Sequence, residues 1–303
     1  KYPNAEYKGE EDAFGGARAL AARHKDDPGL SINIAPHAPY SVTAEALQAS
    51  MRLAEELDTT WQIHLSETEE ERQNAIKEFG CSPVEYLAKL GCLNERTIAV
   101  HCVALSDRDI GLLAESGASV VHCPVSNMRL GCGASPVVKL LKAGINVALG
   151  TDGAASACSL SMFEQMRTAG LIAKGFSQDP TELTVNQIIR MATINGANAL
   201  KLHCDVGSLA VGKLADLAVI DMSQLVTMPV LDVLSNVIYA VEAQCVHQVW
   251  VSGSLVANIQ QEKLLRPDRG KLLTKSNIMS WQNRVCEILR DDFNSVSYTH
   301  LTL

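Results

Sequence analysis

From residue 18 onward, short apolar runs alternate with stretches in which apolar residues recur every three to four positions. The first pattern is that of strands buried on both faces, and the second that of amphipathic helices. A helix is expected over Ala13–His24, then a strand over Ser31–Ala35 (SINIA). TAEALQASMRLAEEL at 43–57 predicts a helix with Thr43 as its N-cap. Thr59–Leu65 reads as the next strand, followed by an acidic helical region broken at Gly80 and restarted from Pro83 through Leu90. Three more strands follow at Thr97–His101, Ala118–Cys123 and Ile145–Gly150. Their helices are expected at Asp107–Ser116, at Pro136–Ala143 after a loop NMRLGCGASP, and at Leu160–Ala173. Thr184–Leu200 reads as one strongly periodic helix.

Five β-α units in series, with polar residues at the C-terminal end of each strand, predict an α/β fold of the TIM-like barrel kind, whose chemistry sits at that end. A doubly wound open sheet is the rival, but it gathers its site at one switch point. An eight-stranded barrel needs three further strands, which would precede Lys1, and the opening KYPNAEYKGEEDAFGG reads as the middle of a domain. The expectation is therefore a partial (β/α)8 barrel over 1–204, carrying strands 4–8. After about residue 205, VGSLAVGKLADLAVIDMS and NVIYAVEAQCVHQVWVSGSLV read as short alternating strands with glycine turns, predicting a small β-sandwich portion over 205–262. Residues 263–303 form a tail, and its final VSYTHLTL carries no pattern that continues the fold and reads as translated adapter sequence.

Composition narrows the picture. Of 303 residues, 47% are hydrophobic and 20% charged, which is ordinary for a globular chain. The net charge of -8, without a Lys/Arg stripe, argues against nucleic acid as a partner. No run reaches the length of a membrane span, so no membrane partner is expected. Nine cysteines, none in a C-x-x-C pair, read as reduced thiols of a cytoplasmic protein.

Against that background the strand-end residues are the candidate chemistry. His64 and Glu67 leave one strand three residues apart, an arrangement in which an imidazole can ligate a metal while a carboxylate moves protons. The plainer reading is a core histidine and a helix-dipole glutamate. His101 ends TIAVH, as a donor to the metal-bound water, a ligand or a buried core residue; His122 ends ASVVH, with a structural or loop-orienting role favoured. Asp152 in Gly-Thr-Asp-Gly can approach a metal closely or form an Asx turn. His37 lies between two prolines in APHAPYS, and Ser156 and Ser159 are candidate caps for the next helix. His24, His203, His247 and His300 fit no such placement. Histidine, histidine and aspartate on successive strand ends together suit zinc or iron.

APHAPYS, IHLSETEEE, VHC at 100–102, HCPVSNMRLGCG and LGTDGAAS with MFEQMRTAGLIAKG resemble the amidohydrolase superfamily, within it the 5'-methylthioadenosine/S-adenosylhomocysteine deaminases. GKLADLAVID and VSGSLV resemble the same family's composite β-sandwich, so the resemblance spans about residues 1–262. It implies a metallo-dependent hydrolase barrel with one divalent metal, zinc first and iron or manganese next. It implies His64 and Asp152 as metal ligands, Glu67 as the proton carrier to the purine ring, and His101 as the group holding the attacking hydroxide. Asp152 would also serve catalysis and substrate binding, His37 would touch the ribose, and Ser156 would line the pocket. The implied reaction adds water at C6 of an adenine nucleoside and releases ammonia.

The family's His-x-His pair and its early glutamate and arginine are absent from the sequence, and Ala157, Cys158 and Ser161 stand where it usually has Asn-rich residues with an aspartate. The segment around Asn236 also departs from the family pattern. Two other readings stay open: a guanine, cytosine or triazine hydrolase of the same superfamily, and a metal-free binding protein on the same scaffold. A small-molecule nucleoside is the expected partner, and a homo-oligomer is left open.

Overall fold

The computed structural model describes residues 9–27 and 29–258, with two short strand segments at 263–265 and 272–273. Helix α1 (Glu10–Arg23) is followed by α2 (Ala44–Glu56), which starts where expected because the Thr43 hydroxyl accepts from the Ala46 N–H. Strand β1 (Trp61–Leu65) leads to α3 (Glu69–Phe79), which stops at Gly80 in a left-handed conformation, and to α4 (Pro83–Lys89). Strand β2 (Thr97–His101) and α5 (Asp107–Ser116) come next, at their expected bounds. Then follow β3 (Ser119–His122), α6 (Pro124–Arg129), α7 (Val137–Lys142), β4 (Val147–Leu149), α8 (Ala154–Ala157) and α9 (Met162–Ser177).

Strands β1–β4 form one parallel sheet in sequence order. Helices cover one face: Trp61, Ile63, Leu65, Val120 and Val147 share a core with Leu47, Leu87, Leu113, Leu140 and Ile188. The other face gathers Ile98, Val100 and Cys123 with Ala199. The parallel order, with each strand followed by a helix, is that of part of a (β/α)8 barrel.

Several elements differ from expectation. The strand expected at Ser31–Ala35 is reduced to a single bridge, Ile34 to Trp61. Ile34 N donates to Thr60 O and Gln62 N donates to Ile34 O, as in a parallel ladder. The next rung requires a donor at residue 36, and Pro36 has none. The pairing slips by one, so His64 N donates to His37 O instead. The loop expected from Asn127 begins as helix α6, with Pro124 pre-set for the first turn. Ser159 and Ser156 do not cap α9; Ser161 does, accepting from Glu164 N. The long helix expected at Thr184–Leu200 is two, α10 (Val185–Met191) and α11 (Ile194–Ala199), broken at Thr193. Thr193 leaves helical geometry at φ -132°, ψ -97°.

Strand β5 (Leu217–Ile220) precedes α12 (Val233–Tyr239), where alternating strands were expected. Asp232 caps α12 by accepting from Ser235 N, and the fully buried Ile238 joins the barrel core. Strands β6 (Val246–Val251) and β7 (Ser254–Asn258) continue an antiparallel sheet with β5, extended by segments 263–265 and 272–273. No residue of β5–β7 is buried. The rest of the tail expected over 263–303, and its final VSYTHLTL, lie outside the described residues. Among the described residues no helix is long and apolar enough to cross a membrane, and the eight described cysteines are free thiols.

Candidate active site

Along β1, Trp61, Ile63 and Leu65 enter the helical core, so His64 faces the opposite side. On β2 the same alternation gives Ala99 to the helical core and Ile98 and Val100 to the other face. Continued, it would bury His101 under the helices. Instead His101 and Cys102 adopt φ of 73° and 50°. The two faces exchange: Cys102 packs in the helical core, and the His101 ring stacks on His64 at 5.4 Å, 19° from parallel. Ser66 and Asp152, also past strand ends, have φ of 51° and 60°. A non-glycine residue costs on the order of 1 kcal/mol there, and such outliers gather at functional sites.

Each side chain is braced from behind. His64 Nδ1 lies 2.6 Å from the His37 carbonyl, so Nδ1 carries the proton and Nε2 is the basic nitrogen. His37 packs its ring 5.0 Å from His64 and hydrogen-bonds Ser41 Oγ through Nδ1 at 2.8 Å. His101 Nδ1 donates to Asn127 Oδ1 at 2.8 Å, turning Nε2 toward Glu67 Oε1 at 3.8 Å. Glu67 also accepts from the Cys132 thiol at 3.6 Å. Asp152 Oδ2 accepts from Ser126 Oγ and Oδ1 from Gly153 N, both at 2.5 Å. Gly150 lets β4 lie close to β3: a Cβ there would sit 2.6 Å from Val121 Cγ1.

The electrostatics favour neutral imidazoles. Burial lowers the His101 pKa against weaker opposing pulls from Asn127 and Asp152. Burial, then His64, lowers that of His37. Burial, reinforced by Glu67, pushes the Cys132 thiol up to about 11. His122 lies 2% exposed with Nδ1 unpartnered, and burial takes it down to about 3.

Of the expected residues, His37, His64, His101 and Glu67 are linked in that order, each touching the next, and Asp152 acts electrostatically on His101. Ser156 sits in α8, where its carbonyl accepts from Arg129 Nη1; among the described residues no hydrogen bond joins its hydroxyl to the others. Sequence reading missed Ser126 and Asn127, adjacent residues of α6 that hold Asp152 and His101. Pro124, a helix-starting residue just ahead of them, was the available signal. It also missed Cys132 and Glu71, the latter in a Thr68-x-x-Glu71 capping-box spacing.

Imidazole and carboxylate are suitable donors for zinc, and both are oriented by outer hydrogen bonds as metal ligands usually are. The donor chemistry of His64 and Asp152 suits such an ion; among the described residues no group of three or more His, Cys, Asp or Glu is placed to hold a metal ion.

The sequence matches the Amidohydrolase family model over residues 11–256. It is 40% identical over 255 residues to the 5-methylthioadenosine/S-adenosylhomocysteine deaminase of Syntrophobacter fumaroxidans, covering 84% of this chain and 58% of that protein. The enzyme of the same name from Teredinibacter turnerae is 44% identical over 234 residues, covering 77% and 53%. A crystal structure of an adenosine deaminase from Xanthomonas campestris with bound zinc superposes with a TM-score of 0.85 at 38% identity, covering 94% and 64%. The chain thus spans between about half and two-thirds of these relatives' lengths.

Proposed function

Because the chain belongs to the amidohydrolase family, we propose that it carries part of the active site of a hydrolase that deaminates an adenine nucleoside, 5'-methylthioadenosine or S-adenosylhomocysteine. One observation carries this reading. Glu67 and His101 meet at 3.8 Å beside His64, at the C-terminal ends of two neighbouring parallel strands.

In this reading water adds to C6 of the purine, the C6–N bond to the amino group breaks, and the products are the inosine derivative and ammonia. His64 and Asp152 are two ligands of a divalent ion, taken as Zn2+ from the zinc-bound relative. When bound, such an ion supplies Lewis acidity that brings the pKa of water toward neutrality. His101, held neutral and aimed by Asn127, accepts a hydrogen bond from the attacking water at Nε2. Glu67 carries protons from that water to the ring nitrogen and onward to the leaving amine. Asp152 contributes to the same proton traffic and contacts substrate. His37 contacts the ribose, and Ser156 lines the mouth of the pocket.

The test is ammonia release by a chimera in which the N-terminal part of the Teredinibacter relative, up to where its match to this chain begins, is joined ahead of the matching region of this chain. Release from adenine nucleosides, lost on the order of a hundredfold or more in Glu67→Gln with zinc retained, is the expected result. The 303-residue chain alone, offering two metal donors, should release none. Activity confined to guanine, cytosine or a triazine would replace the substrate reading. A metal-free chimera indifferent to Glu67→Gln would replace the enzyme reading with a binding protein.

A further inference from the structure

Strand β1 ends at Leu65, and Ser66 turns the chain through a left-handed conformation before α3 begins. Two consecutive backbone N–H groups at this turn meet one side chain. Glu71 Oε1 accepts from Ser66 N at 3.0 Å, and Oε2 accepts from Glu67 N at 2.6 Å. The opposite end of residue 66 is held too: its carbonyl accepts from Val103 N and Ala104 N, each at 2.9 Å. Cys102 N donates to Leu65 O at 3.1 Å. The turn bearing Glu67 is thereby tied to the turn that follows His101.

An ordinary capping box needs none of this. In Ser82/Glu85 and Thr184/Gln187 the third-position side chain returns to the N–H of the cap residue itself. Thr68 caps α3 through Glu71 N, but the Glu71 carboxylate bypasses Thr68 and binds the two residues before it. Among the described residues no Lys or Arg pairs with Glu71. Burial of this carboxyl pushes its pKa up to about 7, so its placement costs stability once ionised. A group kept at such a cost beside reacting residues is a functional candidate.

The geometry points to Glu71 as the positioning residue of Glu67, its two oxygens setting the backbone from which the Glu67 carboxylate reaches His101. This role rests on the deaminase reading for its chemical consequence, though not for the clamp itself. Two acceptor oxygens are required. In Glu71→Gln one amide meets a carbonyl and the other meets an N–H head-on, and in Glu71→Ala both lose their acceptor.

Two measurements test it. Hydrogen–deuterium exchange in the 303-residue chain should show one of the Ser66 and Glu67 amides exchanging about tenfold faster or more in Glu71→Gln, and both in Glu71→Ala, matching loss of a bond worth on the order of 1–2 kcal/mol. In the chimera, kcat for 5'-methylthioadenosine should fall on the order of tenfold to a hundredfold, with KM within about threefold and zinc content unchanged. Unchanged exchange at both amides overturns the clamp. Faster exchange with unchanged kcat overturns the positioning role. A wild-type chimera without deaminase activity would refute the reaction, while the exchange measurement would still decide the clamp. If Glu71→Ala does not fold, Glu71→Gln, closer in shape, supplies both readings.

Discussion

The Nδ1 of His101 lies 2.8 Å from Oδ1 of Asn127, a fully buried residue on the short helix that also holds Asp152 through Ser126. This bond decides which ring nitrogen faces Glu67. Replacing the amide with a carboxylate, Asn127→Asp, favours the imidazolium and raises the His101 pKa. The acid limb of kcat/KM in the chimera should then move to higher pH, and NMR of the His101 ring should show the same shift. Asn127→Leu leaves a buried N–H unpaired and should cost about 1–3 kcal/mol in urea unfolding. A pH profile unmoved by Asn127→Asp would separate the bond from the chemistry.

Gly150 tests the spacing of the strands. A methyl there would stand 2.6 Å from Val121 Cγ1 and 3.2 Å from Cys123 Sγ. Gly150→Ala should cost about 1–3 kcal/mol, the scale of overpacking. In the chimera it should also lower kcat, because Asp152 lies two residues beyond the displaced position. Wild-type stability would show that β3 and β4 yield without strain.

His122 gives a pH dependence of defined sign. Its folded pKa, about 3, lies below the ordinary value of 6.5. The unfolded chain therefore binds the extra proton first as pH falls. Stability from this residue is full above about 6.5 and is lost progressively as pH drops toward 3. Between pH 7 and 5 the loss should be about 2 kcal/mol, absent in His122→Gln. Glu71 works in the other direction: its stability is full below 4.5 and lost as pH rises through about 7. The wild-type and His122→Gln curves share Glu71, so their difference isolates His122, and parallel curves would refute this account.

Metal retention should divide the site residues into two groups. In the chimera, His64→Ala and Asp152→Asn should lower bound zinc, read by elemental analysis after dialysis. Glu67→Gln and His101→Asn should keep it while activity falls. Loss of zinc in Glu67→Gln would move that carboxylate into the ligand set.

Much of this fold was legible because its signals are local. β2 and α5 begin and end where expected, since apolar runs and capping residues act within a few positions. His64, Glu67 and His101 were found as strand-end polar residues for the same reason. What escaped depends on pairing across the sheet. Nothing near SINIA says that its ladder partner would require a donor from Pro36. Nothing in TIAVH says that His101 must take a left-handed φ to leave the helical side. Thr193, unremarkable in a periodic stretch, breaks one expected helix into two. Asn127 opened an expected loop and Ser126 fell just before it, and their partners are 26 residues away in opposite directions along the chain.

The slip caused by Pro36 reaches further than the strand it shortens. It brings the His37 carbonyl, rather than that of residue 36, up to residue 64, where it receives both the backbone N–H and the ring Nδ1. A missing donor on one segment thus selects the tautomer of a histidine on the next. The tautomer of a candidate metal ligand is inherited from the backbone chemistry of a proline that shares no side-chain hydrogen bond with it.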